Sequence, residues 1–162
     1  MKRTFLDHVS DKIALFSEIA CGIMLTIIAI SLFTNVIGRY ILRQSLPWAE
    51  EVSRYLIIWV AMLVTNILIK QNELICVDFF DMYWPKKLIR YRDFTYRVLM
   101  VFMFSLLIYQ GWIMALDGRI VKIASMKVSW FWPYLSVPVG CSLMLVQLLI
   151  MMFKEFYKAQ KD

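Results

Sequence analysis

Four long uncharged stretches constrain this chain more than any other feature. They cover Ile19–Gly38, Tyr55–Ile69, Val98–Leu116 and Val128–Phe153, which are about 20, 15, 19 and 26 residues long, against roughly 20 needed to cross the hydrocarbon core of a bilayer. The second stretch is long enough only if its helix begins near Trp48. Hydrophobic residues make up 61% of the chain, and no hydrophilic domain exists that could bury these stretches. The sequence therefore predicts an all-α integral membrane protein with four transmembrane helices.

The expected spans are about 13–40, 48–69, 86–116 and 130–153, in a single membrane domain over residues 1–162. Residues 1–11 are expected to form a polar start with an interfacial turn. Because Asp7, Asp11 and Glu18 interrupt the N-terminal region, the first span is expected to be permanent rather than a cleaved signal peptide. Pro47 stands where a helix begins, since a first-turn residue has no use for an amide proton.

A short interfacial helix is predicted over residues 74–84, where the sequence reads LICVDFFDMYW. This segment is too short to span, and its aromatic residues surround two aspartates. Its expected anchors at the inner surface, together with the basic residues that follow, are Asp78, Phe79, Phe80, Tyr83, Trp84, Lys86, Lys87 and Arg90.

The distribution of Lys and Arg among the connections predicts the orientation. They are about twice as frequent on the side that holds both termini as on the other side. Positive residues concentrate in cytoplasmic loops, so both termini are expected to be cytoplasmic. The formal net charge of +6 is then explained by anchoring beside anionic membrane lipids, and it needs no nucleic acid partner.

A few residues inside the spans carry specific expectations. Thr26, Ser31 and Thr34 are expected to bond back to their own helix, whereas Asn35 is expected to face another helix. Pro138 should kink the fourth span, with close helix contact at Gly140 nearby. A further expectation is that the third span ends in a glycine cap at Gly118.

The spans lack the residues that catalysis or cofactor binding would require. The only histidine is His8, so haem held by facing histidines is not expected, and the three cysteines stand singly. No phosphate-binding loop, zinc-protease motif or nucleophile-elbow motif occurs. We therefore expect neither an enzyme nor a cofactor. The middle of each span carries no charge, which is unfavourable for a solute pathway through the bundle.

The segment from Asn35 to Asp78 resembles the small membrane subunit of tripartite ATP-independent periplasmic (TRAP) transporters, the DctQ-like family. The resemblance rests on Arg39-Tyr40, on Trp48-Ala49-Glu50-Glu51 followed by Arg54 and Trp59, and on Ile75-Cys76-Val77-Asp78. Chain length, span number and orientation agree with it. The sequence departs from the family pattern at Val64-Thr65-Asn66, where a glycine followed by small residues is common, and at Leu74, where a histidine is common.

The resemblance implies a heteromeric, sodium-coupled secondary transporter of the bacterial inner membrane. Its partners would be a large membrane subunit, which carries the substrate, and a periplasmic binding protein, which delivers small carboxylates such as C4-dicarboxylates or sialic acid. The small subunit would scaffold the first and help to dock the second. The candidate interface or ion-pair residues are Arg39, Trp48, Glu50, Glu51, Arg54 and Trp59. The candidate docking residues are Arg43, Arg119, Lys122 and Lys127.

Two alternatives stay open on the sequence. A stand-alone four-helix proton-coupled exporter or channel would depend on Glu18, although a glutamate near the inner edge of a span is usually a snorkelling residue. The other is a membrane assembly factor with no part in transport.

Overall fold

Four long helices make up the computed structural model, which describes residues 5–41, 43–44, 46–71, 86–122 and 129–159. Helix α1 covers Phe5–Tyr40, α2 Pro47–Gln71, α3 Lys86–Asp117 and α4 Phe131–Ala159. Each of them contains a segment long and apolar enough to cross a membrane. The predicted all-α fold with four span-length helices is confirmed. The predicted interfacial segment over residues 74–84 lies outside the described residues.

Helix α1 begins earlier than the sequence predicted. Residues 5–11 are helical, where a turn was expected, and the helix extends over 36 residues, or about 54 Å at 1.5 Å per residue. Asp7 lies in its first turn, where the positive end of the helix dipole favours a carboxylate. Both Asp7 and Asp11 also have lysine partners on other helices. These contacts explain why the polar segment is helical and does not form the expected turn.

The helices pack in the order α1–α2–α4–α3, since α1 contacts α2, α2 contacts α4, and α4 contacts α3. Within the membrane-spanning windows, 44% of α4 and 28% of α2 are buried, against 17% of α1 and 11% of α3. The α2–α4 pair is therefore the centre of the bundle. Most of the surface of α1 and α3 faces outward.

Two glycines allow α4 to approach its neighbours α2 and α3 closely. A Cβ at Gly140 of α4 would lie 2.6 Å from Cβ of Met62 on α2, and one at Gly111 of α3 would lie 3.0 Å from Cδ of Pro138. Small residues let helices in lipid gain packing contacts that larger side chains prevent. The expected close contact at Gly140 is confirmed.

Gly118 has a different role from the one predicted. It follows α3 as expected, but its φ is not in the left-handed region that a glycine cap uses. A Cβ there would lie 2.8 Å from Cδ2 of Tyr134 and 3.2 Å from the carbonyl carbon of Trp130. The position requires glycine because α4 begins directly against it.

The bundle has a hairpin end and a terminal end. The hairpin end contains the connection between α1 and α2 and the connection between α3 and α4. The terminal end contains the first turns of α1 and the last turns of α4, joined by the ion pair between Asp7 and Lys154.

Candidate functional site

The side chain of Asn35 fixes the α1–α2 hairpin. Its Oδ1 accepts a hydrogen bond from the backbone N–H of Leu46 over 3.1 Å, and its Nδ2 donates to Oε1 of Glu50 over 3.0 Å. Asn35 is only 8% exposed. One amide therefore satisfies a backbone group just before α2 and a carboxylate in the first turn of α2. The expectation that Asn35 faces another helix is confirmed.

The turn between the two helices is tight. The backbone N–H of Gln44 donates to the carbonyl of Gly38 over 3.1 Å, and Arg43 adopts the left-handed region with φ of 51°. A Cβ at Gly38 would lie 3.1 Å from the carbonyl oxygen of Gln44 and 3.3 Å from Cδ1 of Leu46. The turn brings the last turn of α1 close to the start of α2.

The charged residues predicted for a subunit interface cluster around this hairpin. Arg39, Arg43, Glu50 and Arg54 are exposed, and Glu51 is half-buried. Trp48 is 41% exposed, and Trp59 is half-buried. The contact described for Glu50 is with the amide of Asn35 and not with an arginine. An ion-pair role for this group stays a prediction.

An aromatic cluster that the sequence did not predict joins α2 to the start of α4. The rings of Tyr55 and Trp130 meet edge to face with centroids 5.5 Å apart, and Trp130 lies 5.6 Å from Tyr134. Such pairs contribute about 0.5–1.5 kcal/mol beyond their buried area. Tyr55 and Trp130 are far apart in sequence, so no local spacing signals the contact.

The predicted docking residues that the structure describes all lie at the hairpin end. Arg43, Arg119 and Lys122 are exposed, and the guanidinium carbon of Arg119 lies 4.8 Å from the ring centre of Phe131. Lys122 forms an isolated β-bridge with Ser129, which closes the base of the α3–α4 connection. Lys127 lies outside the described residues.

The predicted inner-surface anchors are mostly beyond what the structure describes. Residues 78–84 are outside it. Lys86, Lys87 and Arg90 lie on the first turns of α3, at the terminal end.

The terminal end is held together by buried hydrogen bonds and by partly exposed ion pairs. The sequence did not predict these contacts. Nε2 of Gln147 donates to Oγ of Ser10 over 2.6 Å, and Nδ2 of Asn66 donates to Oγ of Ser17 over 3.0 Å. The ion pairs described there join Lys70 Nζ to Asp11 Oδ1 over 2.8 Å and Lys154 to Asp7. These polar ties link α1 to both central helices. Lys70 and Lys154, two of the basic residues on the side that holds both termini, have acidic partners within the chain.

The described residues present surfaces and contacts between helices. Among them no three His, Cys, Asp or Glu side chains are grouped so that they could hold a metal ion. Glu18 is exposed on α1, next to Ser17, and Arg97 is buried on α3. Neither stands midway along the central pair of helices, where a solute site would be expected.

Comparison with known proteins agrees with this architecture. Residues 28–157 match the family model described as tripartite ATP-independent periplasmic transporters, DctQ component. The chain is also 37% identical over 60 residues to a proposed TRAP transporter small permease protein from Haemophilus influenzae. That alignment covers 37% of this chain and 37% of the relative. The family match covers most of the chain, from the middle of α1 to the last turns of α4, and so includes the Asn35 hairpin and the aromatic cluster. This four-helix chain belongs to the DctQ family, the small permease subunits of TRAP transporters.

Proposed function

We propose that the chain is the scaffold subunit of a sodium-coupled TRAP transporter in the bacterial inner membrane. It holds a large membrane subunit that carries the substrate, and it helps a periplasmic binding protein to dock. The substrates proposed are small carboxylates, such as C4-dicarboxylates or sialic acid. The family match over residues 28–157 is the observation that carries the proposal.

A scaffold role is supported by the polar side chains of the bundle, which form hydrogen bonds between its helices. Asn35, Asn66 and Gln147 each bond to a residue outside their own helix, so their polarity fastens helices together. A transport site would need such groups around a cavity. A bundle fastened in this way suits a subunit that stays fixed while a partner moves.

The proposed orientation places the terminal end in the cytoplasm and the hairpin end in the periplasm. The bias of Lys and Arg toward the terminal side supports it, because the rule counts basic residues and not net charge. Lys70 and Lys154 therefore count toward the orientation even though they pair with acidic residues of the chain. Arg43, Arg119 and Lys122 would then face the binding protein, where exposed charges speed its encounter.

The hairpin charges are proposed to meet the large subunit. Charged groups beside lipid are stabilised when a partner pairs with them. We expect Glu51→Gln to lower the amount of large subunit that co-purifies with a tagged chain, because the carboxylate is lost while the shape is kept. Unchanged assembly and unchanged uptake would contradict this role.

The central experiment is affinity purification of the tagged chain from native membranes. A co-purifying membrane protein of about a dozen spans, together with sodium-driven uptake only when all three components are present, is the expected result. Solute movement in liposomes with this chain alone, lost on Glu18→Gln, would instead establish the stand-alone exporter. Purification without any transporter component would favour the assembly factor.

A further inference from the structure

Gln110 of α3 is an amide on the outer face of a membrane-spanning helix. It is exposed, and its side chain makes no hydrogen bond with the described part of the chain. By contrast, the amides of Asn35, Asn66 and Gln147 all bond across the bundle. Exposed hydroxyls in the spans, such as that of Ser105, bond back to their own helix.

The packing of the helices places Gln110 near the middle of the membrane. Its neighbour Gly111 lies against Pro138 of α4, and Gly140, half a turn further along α4, lies against Met62 of α2. Met62 is eight residues from Arg54 and eight from Lys70, the charges that bound the apolar part of α2. An amide at this depth has no water to bond with, so facing lipid is unfavourable.

The residues above and below Gln110 form a continuous seam along α3. They repeat at alternating intervals of four and three residues, the spacing with which two helices interlock in a coiled coil. All of them are exposed. The seam consists of Leu99, Met103, Leu106, Gln110, Ile113 and Asp117. Asp117 ends the seam at the hairpin end of α3, so Gln110 is the polar residue within the apolar part of the seam. A polar residue in such a position fixes the register and the choice of partner.

We propose that this α3 seam docks one transmembrane helix of the large subunit, a helix that presents a Ser, Thr, Asn or Gln side chain to Gln110. The inference rests on the proposed function and goes beyond it by naming the contact face and its chemistry. Because the Gln110 amide needs a hydrogen-bond partner near the middle of the membrane, the occupant has to be a transmembrane helix with a polar side chain. A lipid chain offers no hydrogen bond, and a soluble binding protein does not reach that depth.

The first test compares two substitutions on opposite flanks of α3 in the co-purified complex. Gln110→Leu should lower the amount of large subunit retained through detergent washing by about three- to tenfold, the range expected for one interhelical hydrogen bond in a membrane. Ser105→Ala, the matched control, should retain it fully, because Ser105 lies on the other flank and bonds to the carbonyl of Val101 over 2.8 Å. The melting temperature of the full chain should not change for either variant. Full retention by Gln110→Leu overturns the seam while leaving the scaffold function intact.

The second test identifies the occupant with a photoreactive p-benzoylphenylalanine at Leu106 on the seam or at Trp112, an exposed position two residues beyond Gln110 and therefore on the other side of α3. In membranes containing the whole complex, the probe at Leu106 should cross-link to the large subunit and the probe at Trp112 should not. A product with the mass of two copies of this chain, or no protein product at Leu106, overturns the inference. If the unmodified chain carries no large membrane subunit at all, the proposed function fails and the occupant fails with it.

Discussion

The hairpin end and the terminal end hold the same helices by different means. At the hairpin end one amide, Asn35, fastens α1 to α2, while the arginines around it stay exposed. At the terminal end Lys70 and Lys154 are paired with acids of α1. The terminal end thus pairs these two lysines within the chain, whereas the arginines of the hairpin end are exposed.

The packed pair α2–α4 connects the two ends, and Gly140→Ala should separate its helices. The added methyl would lie 2.6 Å from Cβ of Met62, so α2 and α4 must separate. We expect a loss of about 1–3 kcal/mol in the free energy of unfolding, as for overpacked cores. It is measured as a lower melting temperature of the purified chain in detergent.

Gly22→Ala is the matched control, because nothing lies within 4 Å of a Cβ at Gly22. Alanine forms helices better than glycine, so stability should stay equal or rise by up to about 1 kcal/mol. Equal losses in the two variants would show that the α2–α4 contact is not the axis of the bundle.

Asn35→Leu should loosen the hairpin end alone. It leaves the N–H of Leu46 without its acceptor and Glu50 without its donor, at a cost of about 1–2 kcal/mol. Hydrogen exchange should rise around residues 41–50 and remain slow at the terminal end. Thr34→Val serves as the control, since that hydroxyl bonds to the carbonyl of Ile30 within α1 itself. Faster exchange at both ends would argue against independent fastening.

The exposed charge at the hairpin end should matter for encounter and not for folding. Arg119→Glu combined with Lys122→Glu should slow uptake about three- to tenfold at limiting binding protein, with recovery at saturation, because rim charges act on association rates. Lys12→Glu, at an exposed position of the terminal end, should leave uptake unchanged. Uptake insensitive to the double reversal at every concentration would remove the docking role.

The smallest effect is expected for the ion pair between Lys70 and Asp11. A double-mutant cycle with Lys70→Met and Asp11→Asn should give a coupling of about 0.2–1 kcal/mol, since both side chains are partly exposed. The coupling should shrink in 1 M salt, where the screening length is about 3 Å. A coupling energy that does not respond to salt would mean that the pair is shielded from solvent. The difference between the paired terminal end and the exposed hairpin end would then be larger.

Much of the fold and part of the candidate site could be read from local sequence. The four helices, the start of α2 at Pro47 and the backbone bonds of Thr26 and Thr34 follow from apolar length, proline geometry and side-chain reach. Asn35 was placed correctly because an amide in a membrane span needs a partner on another helix. The helices, the start of α2 and the threonine bonds depend on neighbours within a few residues, whereas the partners of Asn35 lie 11 and 15 residues away.

Which residues meet across the bundle was decided only by the tertiary structure. Ser10 and Gln147 are 137 residues apart, and Ser17 and Asn66 are 49 apart. The early start of α1 also accompanies contacts between residues far apart in sequence, since Asp7 and Asp11 pair with lysines of other helices. Hydropathy along the chain sets the length of a span, but the rotation of each helix about its axis sets which side chains face one another. That rotation is fixed by packing, as where Gly140 meets Met62.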